Sequence, residues 1–400
     1  MEYDLVFEGG GAKGMVFVGA MDEFYRRGHT TGRLMGTSAG AITAALTAAG
    51  YATEEMMAAL AETDDEGHPV FAGFMGAPGD FPEDVISDGA FSQLLKKLDI
   101  PLLPDFLEEP LEEMLLKLFS KKVPANNLLS LVELGGWYSA DKFIDWLEKK
   151  MDEGTFQGQP RRFSKLTMKQ FNEITGKDLT LIVADTSGEM MLAINHRTAP
   201  DCPVVWAVRM SMSIPMLWQE VIWEKEWGTY RGEEIDGHAI VDGGLLSNFP
   251  IELFISNSRI ITDLMGDKNH ENVIGMLIDE TMPVPGTDQP TASTSGGIKL
   301  GELQTVKRLG RLVSTLMGAR DKAVISAFEQ LVVRLPAKGY GTVEFDMTEE
   351  RRNLLVDAGR QAMKRYLNHQ AALAASAEEP APPLTPDELA DQVAMRMLRE

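Results

Sequence analysis

The chain has 400 residues, of which 44% are hydrophobic and 24% are charged, a composition that excludes a disordered protein and fits an ordinary globular one. Lys and Arg number 38 against 60 Asp and Glu, and the formal net charge of -22 argues against a nucleic-acid partner because it repels polyanions. The single cysteine, Cys202, excludes an internal disulfide.

The N-terminal region predicts two successive units of strand, glycine loop and helix. In the first unit the apolar run Leu5-Val6-Phe7 is interrupted by three glycines, and residues 15–27 then have helical spacing. The second unit has a candidate strand at residues 33–35, a tight turn at residues 36–40 and an alanine-rich helix at residues 41–49. Two successive βα units predict an α/β fold with a mostly parallel central sheet flanked by helices.

Residues 70–134 differ in character, because they are rich in Pro, Leu, Phe and acidic residues and contain no evident strand. We interpret them as a helical insertion. One stretch places apolar residues at i, i+3, i+4, i+7 and i+8, which is typical of core packing but also of a lid that contacts a lipid surface. That stretch consists of Leu111, Met114, Leu115, Leu118 and Phe119.

The later part of the chain predicts further strands and a separate tail. Short apolar runs at residues 179–184, 240–241 and 273–278 are candidate strands, and residues 217–234 look like an antiparallel excursion, which predicts a mixed sheet. We expect one domain over residues 1–370. An Ala/Pro-rich linker over residues 371–386 and a short amphipathic helix over residues 387–400 would follow it.

The turn Gly36-Thr37-Ser38-Ala39-Gly40 fits the G-x-S-x-G nucleophile elbow, in which small neighbours allow a serine to occupy a strained turn between a strand and a helix. Such a pattern alone is weak, but the required strand and helix flank it here. The N-terminus of the following helix also favours negative charge that develops beside Ser38.

The segment Gly9-Gly10-Gly11-Ala12-Lys13-Gly14 has two functional interpretations besides an ordinary turn. It satisfies G-x-G-x-x-G, the dinucleotide fingerprint, but the next strand ends in Thr37 and Ser38 without the acidic residue that would bind a ribose hydroxyl. The alternative is an oxyanion hole, in which glycines let backbone amides point inward without obstruction by a Cβ.

A serine nucleophile needs a base, and the sequence offers a carboxylate more clearly than a histidine. Asp242 follows an apolar run and precedes Gly243 and Gly244, whereas none of the six histidines stands in an informative motif. A Ser-Asp-His triad remains an alternative, with His270 or His369 in the right chain order.

Taken together, the motifs GGGAKG, GTSAG and DGG, in this order and separation, resemble the patatin-like phospholipase family. The resemblance covers about residues 4–280 and also includes the Ser-x-x-x-Pro stretch that ends at Pro215, and Asn248 and Pro250. It implies a three-layer α/β fold with a helical insertion, a dyad of Ser38 and Asp242, and an oxyanion hole at Gly9, Gly10 and Gly11. Lys13 stands where the family more often has arginine, which keeps the charge but loses bidentate contacts.

The function that the resemblance implies is lipid acyl hydrolysis of the phospholipase A or lysophospholipase type, without a cofactor or metal. The expected partners are a phospholipid or lysophospholipid substrate and a membrane surface for peripheral contact, and the sequence identifies no protein activator. We expect a cytoplasmic location, because no signal peptide and no apolar stretch of about 18 residues is evident.

Overall fold

A central eight-stranded sheet organises the part of the chain that the computed structural model describes, which comprises residues 1–75, 78, 125–287, 321–342 and 344–376. Five strands run parallel in the order β12-β11-β1-β2-β6. Three more, β7, β9 and β10, pair antiparallel at one side. These strands are β1 (Glu2–Phe7), β2 (Thr30–Thr37), β6 (Leu179–Asp185), β7 (Met190–Ile194), β9 (Val221–Ile222), β10 (Ala239–Asp242), β11 (Val273–Pro283) and β12 (Val332–Lys338).

Among the described residues, two small sheets lie outside the central one. One pairs β3 (Gly136–Tyr138) with β8 (Met216–Trp218) in parallel, and the other pairs β4 (Thr155–Phe156) with β5 (Gln159–Pro160) antiparallel.

Helices cover both faces of the central sheet. They are α1 (Val16–Arg26), α2 (Ala39–Ala48), α3 (Thr53–Leu60), α4 (Ala125–Glu133), α5 (Asp141–Asp152), α6 (Met168–Thr175), α7 (Val204–Ser211), α8 (Glu252–Ile255), α9 (Arg259–Met265), α10 (Asp321–Ala327) and α11 (Glu349–Ser376). Alternation along β1 shows the layers: Leu5 and Phe7 belong to one apolar core, and Val6 belongs to the other. The predicted α/β class, with a mostly parallel sheet between helical layers, is confirmed.

The predicted elements match the observed ones in type and differ mainly at their ends. The antiparallel excursion is only partly a strand, because residues Lys225–Trp227 form a 3₁₀ turn and Tyr230 makes an isolated bridge with Glu233. At the C-terminal end, α11 continues to Ser376 and so includes the first residues of the predicted linker. The alanines there are the strongest helix formers, which explains the extension.

Only the two ends of the predicted insertion can be compared with the structure. A 3₁₀ turn occupies Val70–Phe74, and α4 follows near the other end. The apolar stretch from Leu111 to Phe119 and the predicted helix over residues 387–400 lie outside the described residues. Within the described ranges, no helix has the length and apolar character needed to cross a membrane.

Candidate active site

The sheet brings the two candidate catalytic residues together along one edge of β6. Residues 181 and 182 of β6 pair with both β2 and β7, so β2 and β7 occupy opposite edges. Residues 183–185 pair with β7 and β10, and therefore β10 lies on the same edge as β2. There β2 ends with Thr37 opposite Ile182, and β10 ends with Asp242 opposite Val183. Two strands that run toward each other thus end at adjacent positions.

Ser38 occupies the turn directly after β2. Its backbone φ is 53° and its ψ is -122°, a strained conformation for a residue with a side chain. Ala39 then begins α2, so the hydroxyl lies beside the amino end of a ten-residue helix. These features match the geometry of a nucleophile elbow, with the serine between a strand and a helix.

A short segment at the end of α7 holds the backbone at both candidate residues. The Ser38 N–H donates to the Ser211 hydroxyl oxygen at 2.9 Å, and that hydroxyl donates to the Ile182 carbonyl at 2.7 Å. The Asp242 N–H donates to the Ser213 carbonyl at 2.9 Å. The sequence showed this segment only as the Ser-x-x-x-Pro match and gave no role to Ser211.

Asp242 is completely buried, and this burial controls its proton affinity. Loss of solvent raises the pKa of its carboxyl to about 7, although the nearby Ser38 hydroxyl and the hydrogen bond from the Gly244 N–H lower it. The Gly244 N–H donates to Oδ1 at 2.8 Å. Oδ2 has no partner of ordinary hydrogen-bond geometry among the described residues, so the Ser38 contact is looser than a full hydrogen bond. Catalytic contacts commonly have this looseness before substrate binds.

The glycine loop lies directly against Ser38. A Cβ at Gly9 would come 3.0 Å from the Ser38 Cβ and 2.1 Å from Asn248 Oδ1, so a larger residue there would have to displace the Asn248 side chain. The Gly9 N–H donates to the Asn248 carbonyl at 3.3 Å, whereas the N–H groups of Gly10 and Gly11 donate to no other group in the described part of the chain. Gly11 also has a φ of +55°. Of the three predicted glycines, Gly10 and Gly11 therefore offer free amides.

Asn248 connects the glycine loop to the loop that follows Asp242. Its Nδ2 donates to the Gly9 carbonyl at 2.8 Å, and its own carbonyl accepts the Gly9 N–H. Its Nδ2 also lies 3.4 Å from Glu8 Oε1, and Glu8 Oε2 accepts the Ile278 N–H at 2.5 Å. These bonds hold the loops of β1, β10 and β11 in a fixed relation. The sequence could not predict these bonds, because the residues that form them are far apart along the chain.

Lys13 is buried behind the glycine loop. Its ammonium pairs with the exposed carboxylate of Glu280 near the end of β11. It is not among the residues that line the cavity described next. In this structure the Lys13 charge ties the loop to β11, which is a contact the sequence could not predict.

A small apolar cavity lies beside Ser38. Its volume is about 60 Å³, which corresponds to a few water molecules. Its walls are mainly aliphatic and aromatic, and the aromatic ones include Phe71, Phe74, Phe143, Trp146 and Trp218. Phe71 and Phe74 lie at the start of the predicted insertion and Phe143 and Trp146 belong to α5, which follows it, so the start of that segment and the next helix flank the cavity.

None of the six histidines lines this cavity. His270 contacts Glu2 and Asp4 near the start of β1. Ser38 follows the end of the parallel strand β2, which lies at the other end of the sheet. His369 lies on the exposed part of α11. Across the described residues, no group of three or more His, Cys, Asp or Glu is arranged to hold a metal ion.

Comparison with known proteins agrees with the resemblance of the motifs. The family model of the patatin-like phospholipases matches residues 5–255, and the chain belongs to that family. The match includes the glycine loop, Ser38 and Asp242. At the level of the family, the chain is a lipid hydrolase.

Individual relatives are more distant. The chain is 25% identical over 374 residues to a protein of Bacillus subtilis (strain 168) described as uncharacterized protein YqhO, with 92% of this chain and 98% of that protein covered. Among solved structures, VipD from Legionella pneumophila has 16% identity and a TM-score of 0.44, covering 92% of this chain and 67% of VipD. ExoU from the type III secretion system of Pseudomonas aeruginosa, solved with SpcU, has 17% identity and a TM-score of 0.38; the coverage is 92% of this chain and 52% of ExoU.

Proposed function

We propose that the protein hydrolyses carboxylic esters of lipids, as a phospholipase A or lysophospholipase, through a dyad of Ser38 and Asp242. The observation that carries this proposal is the meeting of β2 and β10, which puts a buried carboxyl next to a strained serine that lines an apolar cavity. Oxyanion stabilisation is assigned to the free amides of Gly10 and Gly11, with Gly9 allowing the close approach.

The reaction has two proton-balanced stages. Ser38 Oγ attacks the ester carbonyl carbon while Asp242 takes the hydroxyl proton, and the carbonyl oxygen becomes an oxyanion that faces the glycine amides. The intermediate collapses as Asp242 returns the proton to the leaving alcohol. Water then attacks the acyl-serine, Asp242 takes a proton from the water, and Ser38 regains its proton as the carboxylic acid leaves.

The pKa of Asp242 supports its role as the base. A carboxylate at its ordinary pKa of about 3.9 is too weak to take a proton from a hydroxyl effectively. Burial raises the pKa of Asp242 to about 7, so the ionised form is more basic yet still populated at neutral pH. The absence of histidines from the cavity lining favours this dyad over a Ser-Asp-His triad.

The first test removes each member of the dyad. We expect Ser38→Ala and Asp242→Asn each to lower kcat by about 10⁴-fold or more, on the scale of a disabled catalytic unit. The double variant should be no worse than either single variant, because the two residues act together. Ester hydrolysis by the purified full-length protein, with circular dichroism to verify folding, is the measurement.

Asp185→Asn is the matched control for Asp242→Asn. Asp185 is also buried at the end of a strand, and its Oδ1 accepts the Ser187 and Gly188 N–H groups, but its Oδ2 contacts the His238 ring at 2.7 Å rather than Ser38. It should retain turnover. A fluorophosphonate probe should label the wild type and Asp185→Asn but not Ser38→Ala. Turnover that survives in Ser38→Ala would refute the proposed mechanism.

A further inference from the structure

The small apolar cavity beside Ser38, here named the slot, suits a hydrocarbon chain. Its lining is almost entirely apolar, and the hydroxyl of Thr43, one of its few polar groups, is already bonded to the Ala39 carbonyl at 3.2 Å. A polar head group would lose its hydration there without gaining partners.

One face of α2 gives the slot its direction. Ala39, Ile42, Thr43 and Leu46 all line it, and their spacing places them along a single side of the helix. From Ser38 to Leu46 the helix rises 1.5 Å for each of eight residues, or about 12 Å. The slot therefore extends away from the nucleophile along the axis of α2.

Buried residues line the slot near Leu46 and beyond it along the chain. Beyond Leu46 the chain turns at Gly50 into α3, and Met56 and Ala59 of α3 also line the cavity. Leu46, Met56 and Ala59 are each exposed by 5% or less. An extended peptide advances about 3.5 Å over three backbone bonds, or about 1.2 Å a bond, and an alkyl chain is comparable. About 12 Å thus accommodates roughly ten chain atoms.

We infer that this slot binds the acyl chain of the substrate and that Leu46, Met56 and Ala59 limit that chain to about ten carbons. The inference rests on the proposed function and makes the enzyme selective for medium-length acyl groups. The head group remains outside the slot. Each methylene up to the limit should raise kcat/KM about fourfold through burial, and methylenes beyond it should add nothing or reduce the rate.

The test is the chain-length profile of the full-length protein on p-nitrophenyl esters from four to sixteen carbons. We expect a maximum near ten carbons for the wild type. Leu46→Ala should move the maximum at least two carbons longer, because it enlarges the slot at that position, and Ala59→Leu should move it at least two carbons shorter. Leu147→Ala, a buried leucine of α5 outside the cavity lining, is the control and should leave the profile unchanged.

A second measurement does not depend on turnover. Fatty acids of six to sixteen carbons, titrated calorimetrically into Ser38→Ala, should gain affinity about fourfold per methylene until about ten carbons and then level off. A flat profile, or the same maximum in Leu46→Ala and Ala59→Leu, would overturn the inference even if Ser38-dependent hydrolysis is observed. Failure of Ser38 labelling together with a normal binding limit would instead contradict only the proposed function.

Discussion

Asp242 has opposite effects on catalysis and on stability. Its pKa is raised in the folded protein, so the folded state holds the proton more tightly than the unfolded state does. Its contribution to stability is therefore complete below the ordinary pKa near 3.8 and is lost as the pH rises through about 7. The ionised form that catalysis requires is the less stable form. Such a cost is typical of functional sites.

The raised pKa predicts a specific pH dependence. We expect kcat/KM on a short soluble ester to rise tenfold per pH unit below about pH 7 and to level off above it, because only ionised Asp242 accepts the Ser38 proton. Rates measured from pH 5 to 9 give the apparent pKa.

Temperature separates this carboxyl from a histidine of similar pKa. A carboxyl ionises with little enthalpy, whereas imidazole ionisation is strongly endothermic. The apparent pKa should therefore stay constant between 15 and 35 °C if Asp242 is the base. The pKa of an imidazole would fall over the same range. A pKa near 4, or one that falls clearly on warming, would contradict the assignment of Asp242 as the base.

Local sequence patterns were sufficient to locate Ser38, Asp242 and the glycine loop, because each sits in a short motif with its own backbone requirement. They could not give the roles of Ser211 or Asn248. Ser211 contacts Ser38 across 173 positions of the chain, and Asn248 contacts Gly9 across 239. No local rule reports a hydrogen bond between such distant residues. The Lys13–Glu280 ion pair could not be predicted for the same reason.

At the scale of elements, the C-terminal end of α7 keeps nucleophile and base in register. Ser211 accepts the Ser38 N–H and donates to the Ile182 carbonyl, while the Ser213 carbonyl accepts the Asp242 N–H. Two loops from different strands thus have one common support. A small displacement of either loop would separate the reacting groups, and displacement by 1 Å can cost about 10² in rate.

This support predicts that Ser211→Ala lowers kcat by roughly 10- to 100-fold while KM changes less than about twofold. The substitution leaves the buried Ser38 N–H without its acceptor, which costs about 1–3 kcal/mol of folding free energy. Kinetics on a soluble ester and denaturant unfolding measure the two effects.

Ser130→Ala is the matched control. Ser130 is also completely buried, but its partners are the Gly136 carbonyl, to which it donates at 2.5 Å, and Gln219 Nε2, from which it accepts at 2.8 Å, rather than Ser38 or Asp242. It should lose similar stability and keep its kcat. Equal losses of kcat in both variants would mean that Ser211 only stabilises the fold.

The element that sequence predicted least well is β10. Its apolar run of two residues predicts a strand but not its direction, because a strand buried among neighbours is compatible with either. β10 pairs antiparallel with β6 on one side and with β9 on the other. Its direction therefore depends on Val221 and Ile222 of β9, which precede it in the chain. This pairing decides that Asp242 meets Ser38.

At the scale of the whole molecule, the net charge opposes the approach to a lipid substrate. The formal net charge of -22 repels anionic membranes, although a lipid hydrolase must reach substrate in an aggregate. Insertion of apolar side chains into the lipid surface can offset this repulsion. The apolar cavity beside the nucleophile also favours transfer of a lipid chain from the aggregate to the site. The predicted lid over Leu111 to Phe119 would be one such contact and stays a prediction.

The repulsion between the net charge and anionic lipids predicts a salt effect that depends on the charge of the lipid. Raising NaCl from 10 to 150 mM shortens the screening length from about 30 to about 8 Å. We therefore expect the rate on anionic phosphatidylglycerol vesicles to rise several-fold. Rates on zwitterionic phosphatidylcholine vesicles and on a soluble ester, which feel no such repulsion, should change less than about twofold, and these are the controls. If the rate on anionic vesicles fell with salt, a local basic surface would govern docking in place of the net charge.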